Sequence, residues 1–79
     1  MNLELSRNQG ASLHHQIMIV LRSQIHSGQL PDGALVPGEM SLMTQYGVSR
    51  ATVRRALLTL EREGLIERRS SRNVVIGDW

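Results

Sequence analysis

One apolar stripe in the second half of the chain constrains its fold more than any other feature. Its members stand at positions i, i+3, i+4 and i+7, and they are Val53, Ala56, Leu57 and Leu60. At about 100° per residue, this spacing places all of them on one side of an α-helix. Ser49 precedes the stripe as a favourable N-cap, and Gly64 follows it as a favourable stop. The sequence therefore predicts a helix over about residues 49–63 with one buried face.

Two further helices are predicted before this one. Ser12 is a suitable N-cap for the first, and Gly28 can end it in a left-handed conformation. The apolar positions of this first helix follow helical spacing, and they are Leu13, Ile17, Val20, Leu21 and Ile25. A shorter helix is predicted over about residues 39–46, where Glu39 suits the positive end of the helix dipole. Its inward stripe consists of Leu42, Met43 and Tyr46.

The end of the chain has the pattern of a β-hairpin. The runs "LIERR" and "NVVIG" are β-prone, and the polar "SSR" region separates them. Between the first two helices, "GQLPDGALVPG" contains too many glycines and prolines for a long element, although "ALV" predicts a short strand. Residues 1–11 show no periodicity, and we expect them to form a flexible N-terminal arm.

This order of elements predicts a mainly α fold with a small β-hairpin. Two helices joined by a turn that contains Gly47, the second of them bearing arginines, form the helix-turn-helix pattern. The trailing hairpin makes it a three-helix winged helix-turn-helix. At 79 residues the chain has room for one small domain, which we place at residues 12–77.

Several classes of site are excluded by composition and spacing. The chain has no Cys, so neither a disulfide framework nor a thiolate zinc site is available. His14 and His15 diverge around a helix and His26 lies about 16 Å further along its axis, so these residues cannot share a metal ion. No nucleophile lies near an arguable base, and we expect neither enzyme activity nor a cofactor.

No apolar run approaches the roughly 20 residues that span a bilayer, and the first residues lack the apolar stretch of a secretory signal. These two observations favour a cytoplasmic protein without a membrane partner.

Positive charge is concentrated in one segment. Residues 49–72 hold seven of the nine Arg residues against three Glu, whereas residues 1–48 hold two Arg against three acidic residues. Such asymmetry indicates a local patch for a polyanion. Arg suits phosphate and guanine edges because its planar fork can donate two parallel hydrogen bonds. On charge alone, a solvated helix face is the alternative.

Arg50 and Arg54 lie one turn apart on the same flank of the predicted third helix, outside the buried arc. A cation in the first turn, such as Arg50, opposes the helix dipole at a cost of about 0.3–1 kcal/mol. The alternative is that Arg54 and Arg55 pair with Glu61, Glu63 or neighbouring acidic residues, yet no acidic residue lies three or four positions from Arg50 or Arg54 within the helix. A nearby polyanion is therefore the explanation we favour.

The N-terminal end of such a helix contacts base edges in the major groove of DNA. The pattern thus predicts a sequence-specific DNA-binding transcription regulator. The alternative is a winged-helix protein-interaction module with an acidic partner, since a fold alone does not decide function.

Four segments, in order, resemble one known family. "SLHHQI", "SGQLPDGALVPGEMSL", "YGVSRATVRRAL" and "LEREGLIERR" are together similar to the DNA-binding domain of the GntR family of bacterial transcription regulators. The likeness runs from about Ser12 to Ile76, and the opening around His14 resembles HutC- or YtrA-type members. It implies a winged helix-turn-helix that binds palindromic, double-stranded operator DNA as a homodimer. The recognition helix, about 49–63, would lie in the major groove and the wing, about 65–77, at the adjacent minor groove or backbone.

The resemblance also implies that Ser49, Arg50, Thr52 and Arg54 contact phosphates and bases of DNA, with Arg50 as the principal base reader. We expect Arg55 to contact only the backbone. The full set comprises Glu39, Ser49, Arg50, Thr52, Arg54, Arg55, Ser71, Arg72 and Asn73. Members of the family continue into an effector-binding or dimerising domain. We therefore expect this chain to be a fragment, with any small-molecule effector acting through a domain absent here; a naturally short regulator is the alternative.

Some positions depart from the family pattern. Gly38 stands where Ser is usual, which removes a cap hydroxyl, and Met40 stands where many members have a base-contacting Arg. This chain is therefore expected to read fewer guanines, or different bases. In the wing, Ser71 and Asn73 stand at glycine positions, and Asn73 is expected to tolerate a left-handed turn there. Arg72 is retained and is expected in the minor groove or on a phosphate.

Overall fold

Three α-helices and one β-hairpin form in the part of the chain that this computed structural model describes, residues 12–76. The helices are α1 (Leu13–Ser27), α2 (Glu39–Tyr46) and α3 (Arg50–Arg62), and the strands are β1 (Ile66–Arg69) and β2 (Arg72–Val75). The predicted mainly α fold with a small β-hairpin is confirmed. The arm predicted over residues 1–11 lies outside the described residues, as does residue 77 at the end of the predicted domain.

Serine and glycine caps fix where the helices begin and end. The Ser12 hydroxyl accepts a hydrogen bond from the backbone N–H of His15 at 3.3 Å, and the Ser49 hydroxyl accepts one from Thr52 at 3.2 Å. Each bond satisfies an amide that the first turn of a helix leaves without an intrahelical partner. Gly47, between α2 and α3, has a φ of 64°, a left-handed conformation that is strained for residues with a Cβ. The chain can therefore turn sharply from α2 into α3.

The core is mainly aliphatic, with Tyr46 of α2 as its aromatic member, and lies between the inner face of α3 and the elements around it. The whole apolar stripe of α3 is buried, as predicted. Ile17 and Leu21 of α1, Leu42 of α2, and Ile66 and Val75 of the hairpin are each no more than 1% exposed. Among the described residues, no polar or charged side chain is buried. Helix α3 is therefore held by a dry core on one face, while its opposite face stays in solvent.

The wing is tied to the loop that precedes α2. Leu35 forms an isolated antiparallel bridge with Val74, and the N–H of Val36 donates to the carbonyl of Asn73 at 2.9 Å. The short strand predicted over "ALV" is thus only a single bridge, since Pro37 follows directly and has no N–H to donate. This attachment places the wing beside the start of α2.

Two serines form the tip of the wing. Ser70 and Ser71 have φ values of 49° and 71°, and they lie between Arg69 and Arg72, which pair across the hairpin. Positive φ at both central positions of a two-residue loop is the type I′ pattern, whose twist matches that of the flanking strands. The turn lies in the polar "SSR" region, as the sequence predicts, but Asn73 is not part of the left-handed turn that it was expected to tolerate. Asn73 lies within β2, because the pairing register places the turn two residues earlier.

Candidate nucleic-acid interface

The exposed flank of α3 carries two arginines near its N-terminal end. The side chains of Arg50 and Arg54 are 52% and 62% exposed, whereas Val53 beside them is fully buried. The two guanidinium groups, hereafter the arginine pair, lie on the solvent side of the helix, where helical spacing predicts them. Each can donate parallel hydrogen bonds to a guanine edge or a phosphate.

Glu39, the first residue of α2, contacts both members of the arginine pair. Its Oε2 accepts a hydrogen bond from Arg54 Nε at 3.0 Å, and its Oε1 lies 3.7 Å from Arg50 Nε. The two arginines therefore lack an acidic neighbour only within α3, because Glu39 comes from the preceding helix. Glu63, considered above as a partner for α3 arginines, instead pairs with Arg22 of α1.

Ser49 and Thr52 frame Arg50 at the start of α3. The two hydroxyl oxygens lie 3.0 Å apart, and the Ser49 side chain also accepts from the Thr52 backbone N–H. Hydroxyl and amide groups at a helix N-terminus can donate to a phosphate oxygen. These two predicted site residues are thus placed for a backbone contact next to the arginine pair.

Arg55 lies on a different side of α3. It is rotated by about 140° from Arg50, and it is near enough to α1 to act on His14. Desolvation lowers the pKa of His14 below its ordinary value of 6.5, and the positive charges of Arg55 and His15 lower it further. The structure therefore does not bring Arg55 together with the arginine pair.

A groove of about 450 Å³ separates the start of α2 from the wing. The wing contributes Arg68, Ser71, Arg72 and Asn73 to it, facing Glu39 and Met40. The predicted wing residues therefore lie across the groove from the predicted α2 residue. A second groove, of about 390 Å³, runs between α3 and the wing, where its lining includes Arg54, Arg68 and Asn73.

Arg68 is a candidate site residue that the sequence-based prediction left out. It is exposed, it lines both grooves, and it stands opposite Asn73 in the hairpin. Because side chains alternate along a strand, Arg68 lies on the same face of the hairpin as the buried Ile66. It lies just outside the core on this face, where it borders the groove beside α3. The two-residue spacing between Ile66 and Arg68 was the sequence signal from which the orientation of Arg68 could have been predicted. Arg69 has the opposite orientation and pairs with Glu67.

The surface built in this way is suited to a polyanion. Three arginines line the two grooves, Arg54, Arg68 and Arg72, against the acidic Glu39 and Glu61. Within residues 12–76, no group of three His, Cys, Asp or Glu residues is placed to hold a metal ion. In the same range, no helix has both the length and the apolar character needed to cross a membrane. Positive charge and hydrogen-bond donors are what the backbone of duplex nucleic acid binds.

Known proteins are similar to this chain in both sequence and fold. The family model described as "Bacterial regulatory proteins, gntR family" matches residues 13–76. The chain is 34% identical over 74 residues to the HTH-type transcriptional repressor NagR of Bacillus subtilis (strain 168), covering 94% of this chain and 30% of the repressor. It is 44% identical over 55 residues to the mannosyl-D-glycerate transport/metabolism system repressor MngR of Escherichia coli (strain K12), covering 70% and 23%. The chain thus spans less than a third of the length of these curated relatives.

Solved structures agree with this assignment. YtrA from Sulfolobus acidocaldarius, a GntR-family transcription factor, superposes with a TM-score of 0.91 at 26% identity, covering 98% of this chain and 82% of that one. AraR(DBD) in complex with operator ORX1 superposes with a TM-score of 0.80 at 30% identity, covering 90% and 86%. YtrA is a transcription factor and NagR and MngR are repressors, in agreement with the expectation that the chain is not an enzyme. By the family match, the winged helix-turn-helix fold and the arginine-bearing flank of α3, the chain belongs to the gntR family of bacterial regulatory proteins.

Proposed function

We propose that this chain is the DNA-binding part of a transcription regulator and binds double-stranded operator DNA. The observation that carries the proposal is the arginine pair, which projects from the exposed flank of α3 beside a wing that bears Arg68 and Arg72. In helix-turn-helix docking, the N-terminal end of the second helix enters the major groove. The complexes of AraR(DBD) with operators ORX1 and ORE1, at 30% and 28% identity, support the same use of the fold here.

Each residue of α3 is assigned a contact by its position. Arg50, the first residue of the helix, is the base reader, because a guanidinium can donate to both O6 and N7 of guanine. Arg54 reaches the next base or its phosphate one turn later. Ser49 and Thr52 donate to a phosphate, and Arg55, on another side of the helix, contacts only the backbone.

Glu39 is assigned a positioning role. It is only 22% exposed, less than either arginine that it contacts. A carboxylate that faces DNA directly would repel phosphate, whereas one held behind two guanidinium groups orients their donors. Glu39 therefore acts on DNA recognition through Arg50 and Arg54.

The wing is assigned to the minor groove or backbone next to the major groove that α3 occupies. Arg72, at the end of the turn, enters a narrow minor groove or meets a phosphate. Ser71 and Asn73 supply polar groups beside it, and Arg68 faces the DNA strand between the two grooves. None of these contacts requires bare glycine backbone at the wing tip.

The whole protein is proposed to bind a palindromic operator as a homodimer, in the cytoplasm where bacterial DNA lies. Its curated relatives are transcriptional repressors of which this chain spans less than a third. Dimerisation and the binding of a small-molecule effector are therefore assigned to parts of the protein outside the domain described here. The resemblance of the opening to HutC- or YtrA-type members stays a prediction.

A fluorescence-anisotropy titration with duplex DNA at two salt concentrations tests the proposal. We expect the logarithm of the association constant to fall with the logarithm of salt concentration by about 0.9 per phosphate contact. Arg54→Ala should weaken binding several-fold, on the order of 1 kcal/mol. Arg62→Ala is the matched control, because it removes the same charge from the far end of α3. No binding at low salt would contradict the proposal and favour the protein-interaction module with an acidic partner.

A further inference from the structure

Met40 is an apolar side chain exposed within a polar surface. It is the second residue of α2, and 63% of it is exposed. Gly38 caps this helix without a side-chain hydrogen bond, and the space in which a Cβ of residue 38 would lie is open. Core packing does not explain a methionine at this position, because Leu42 and Tyr46 are the residues of α2 that are buried in the core, and they lie on the other side of the helix.

Met40 contacts the N-terminal end of α3. Arg50 Nη2 lies 3.5 Å from Met40 Sδ, a distance at which a guanidinium N–H donates weakly to a thioether. Because Arg50 is the first residue of α3, Met40 lies next to the base pair that Arg50 contacts in the proposed complex. Leu35 and Pro37 line the same groove as Met40 on the side towards the wing. The exposed thioether is therefore held at the DNA-facing edge of α2.

Among the features of the major groove, a methionine side chain best matches an apolar one. The C5-methyl group of thymine is the apolar group that base edges present there, while the other edges present donors and acceptors. Met40 has no donor for guanine and only a weak acceptor for cytosine. Its flexible, polarizable side chain can remove a methyl group from water without a hydrogen-bond partner. Burial of one such group is worth about threefold to fivefold in affinity.

We propose that Met40 is a specificity-determining residue that reads the methyl group of a thymine next to the base read by Arg50. The inference rests on the proposed DNA binding, and it adds the identity of one base in the operator. The thioether contact also fixes the Arg50 guanidinium without adding charge, so that both side chains approach the base edges together.

Deoxyuridine substitution tests this contact directly. Operator sites are selected from a random duplex pool with the 79-residue chain, and each thymine of the selected site is then replaced singly by deoxyuridine. This replacement removes one methyl group and leaves the hydrogen-bonding edge of the base unchanged. We expect one thymine in each half-site at which deoxyuridine weakens binding about threefold to fivefold. At that position, Met40→Ala should bind thymine and deoxyuridine equally.

Leu35→Ala is the matched control, because Leu35 is also exposed and lines the same groove but lies beside Val74 of the wing. This variant should keep the preference for thymine over deoxyuridine. The inference is overturned if wild type is indifferent to deoxyuridine at every thymine, if the preference survives in Met40→Ala, or if the selected site contains no thymine. Failure to select or bind any DNA would instead refute the proposed function, and the inference with it.

Discussion

Arg54 of α3 donates a hydrogen bond of 3.0 Å to Glu39 of α2, so the first helix of the helix-turn-helix orients a side chain of the second. The same carboxylate lies 3.7 Å from Arg50. Both arginines are more than half exposed, and ion pairs in such positions contribute only about 0–1 kcal/mol to stability. Glu39 therefore matters more for the orientation of the two guanidinium groups than for the stability of the fold.

Glu39→Gln should lower discrimination between operator and mixed-sequence DNA. The variant removes a negative charge that repels phosphate, so affinity for mixed-sequence DNA should rise. Arg50 and Arg54 also lose the carboxylate that orients them, so they should discriminate less between bases. We expect the ratio of operator to mixed-sequence affinity to fall on the order of fivefold, which corresponds to about 1 kcal/mol. Competition titrations at one salt concentration measure this ratio. Glu67→Gln, which removes the same charge beside Arg69 of the wing, is the control, and an unchanged ratio in Glu39→Gln would contradict the positioning role.

Arg55→Ala should weaken binding to every DNA sequence by a similar factor. Arg55 lies apart from the arginine pair, and a phosphate contact carries no sequence information. The slope of log affinity against log salt should fall in magnitude by about 1. Anisotropy titrations on operator and mixed-sequence DNA over a series of salt concentrations provide both quantities. A loss confined to the operator would show that Arg55 contacts a base.

The wing turn offers a stability prediction that is independent of DNA. Ser70 and Ser71 hold positive φ values, which cost non-glycine residues about 1–2 kcal/mol each. Ser71→Gly should therefore raise the free energy of unfolding by about 1 kcal/mol, equivalent to about 4–8 °C in Tm for a domain of this size. Thermal unfolding followed by circular dichroism measures this change. Ser23→Gly, in the exposed middle of α1, should have the opposite sign, by about 0.5 kcal/mol. A lower Tm for Ser71→Gly would rule out the type I′ turn.

His14 should make the domain less stable in mild acid. Its pKa in the folded chain lies below 6.5, chiefly because of desolvation and then because of Arg55. The unfolded chain therefore binds more protons near that pH, so this contribution to stability is complete above it and is lost as the pH falls through the lowered pKa. His14→Gln should reduce the fall in Tm between about pH 7.5 and about pH 5. His26→Gln, at the other end of α1, is the control, and an unaltered pH profile for His14→Gln would contradict this prediction.

Most of the fold was predictable because its signals are local. The stripe from Val53 to Leu60 and the caps at Ser12 and Ser49 each depend on residues within a few positions of one another. The turns that follow the helices were predictable for the same reason, because a glycine marks each of them locally in the sequence. Hydrophobic period and cap chemistry therefore located all three helices within the described range.

The parts that the sequence did not predict depend on pairing between distant residues. The Glu39–Arg54 bond joins residues fifteen positions apart, and nothing along α3 indicates it. The turn was located in the polar "SSR" run, but that run leaves the strand register open, so the sequence did not show that Asn73 lies within β2 rather than in the turn. Arg68 was overlooked because its orientation follows only once Ile66 is known to face the core.

The most direct test of the central claim compares wild type and Arg50→Ala on a selected operator and on mixed-sequence DNA at the same salt concentration. Base reading by Arg50 predicts a loss of about 1–3 kcal/mol on the operator, a much smaller loss on mixed-sequence DNA, and a relaxed preference at one position when sites are selected again. Equal losses on the two DNAs would show that Arg50 contacts only the backbone.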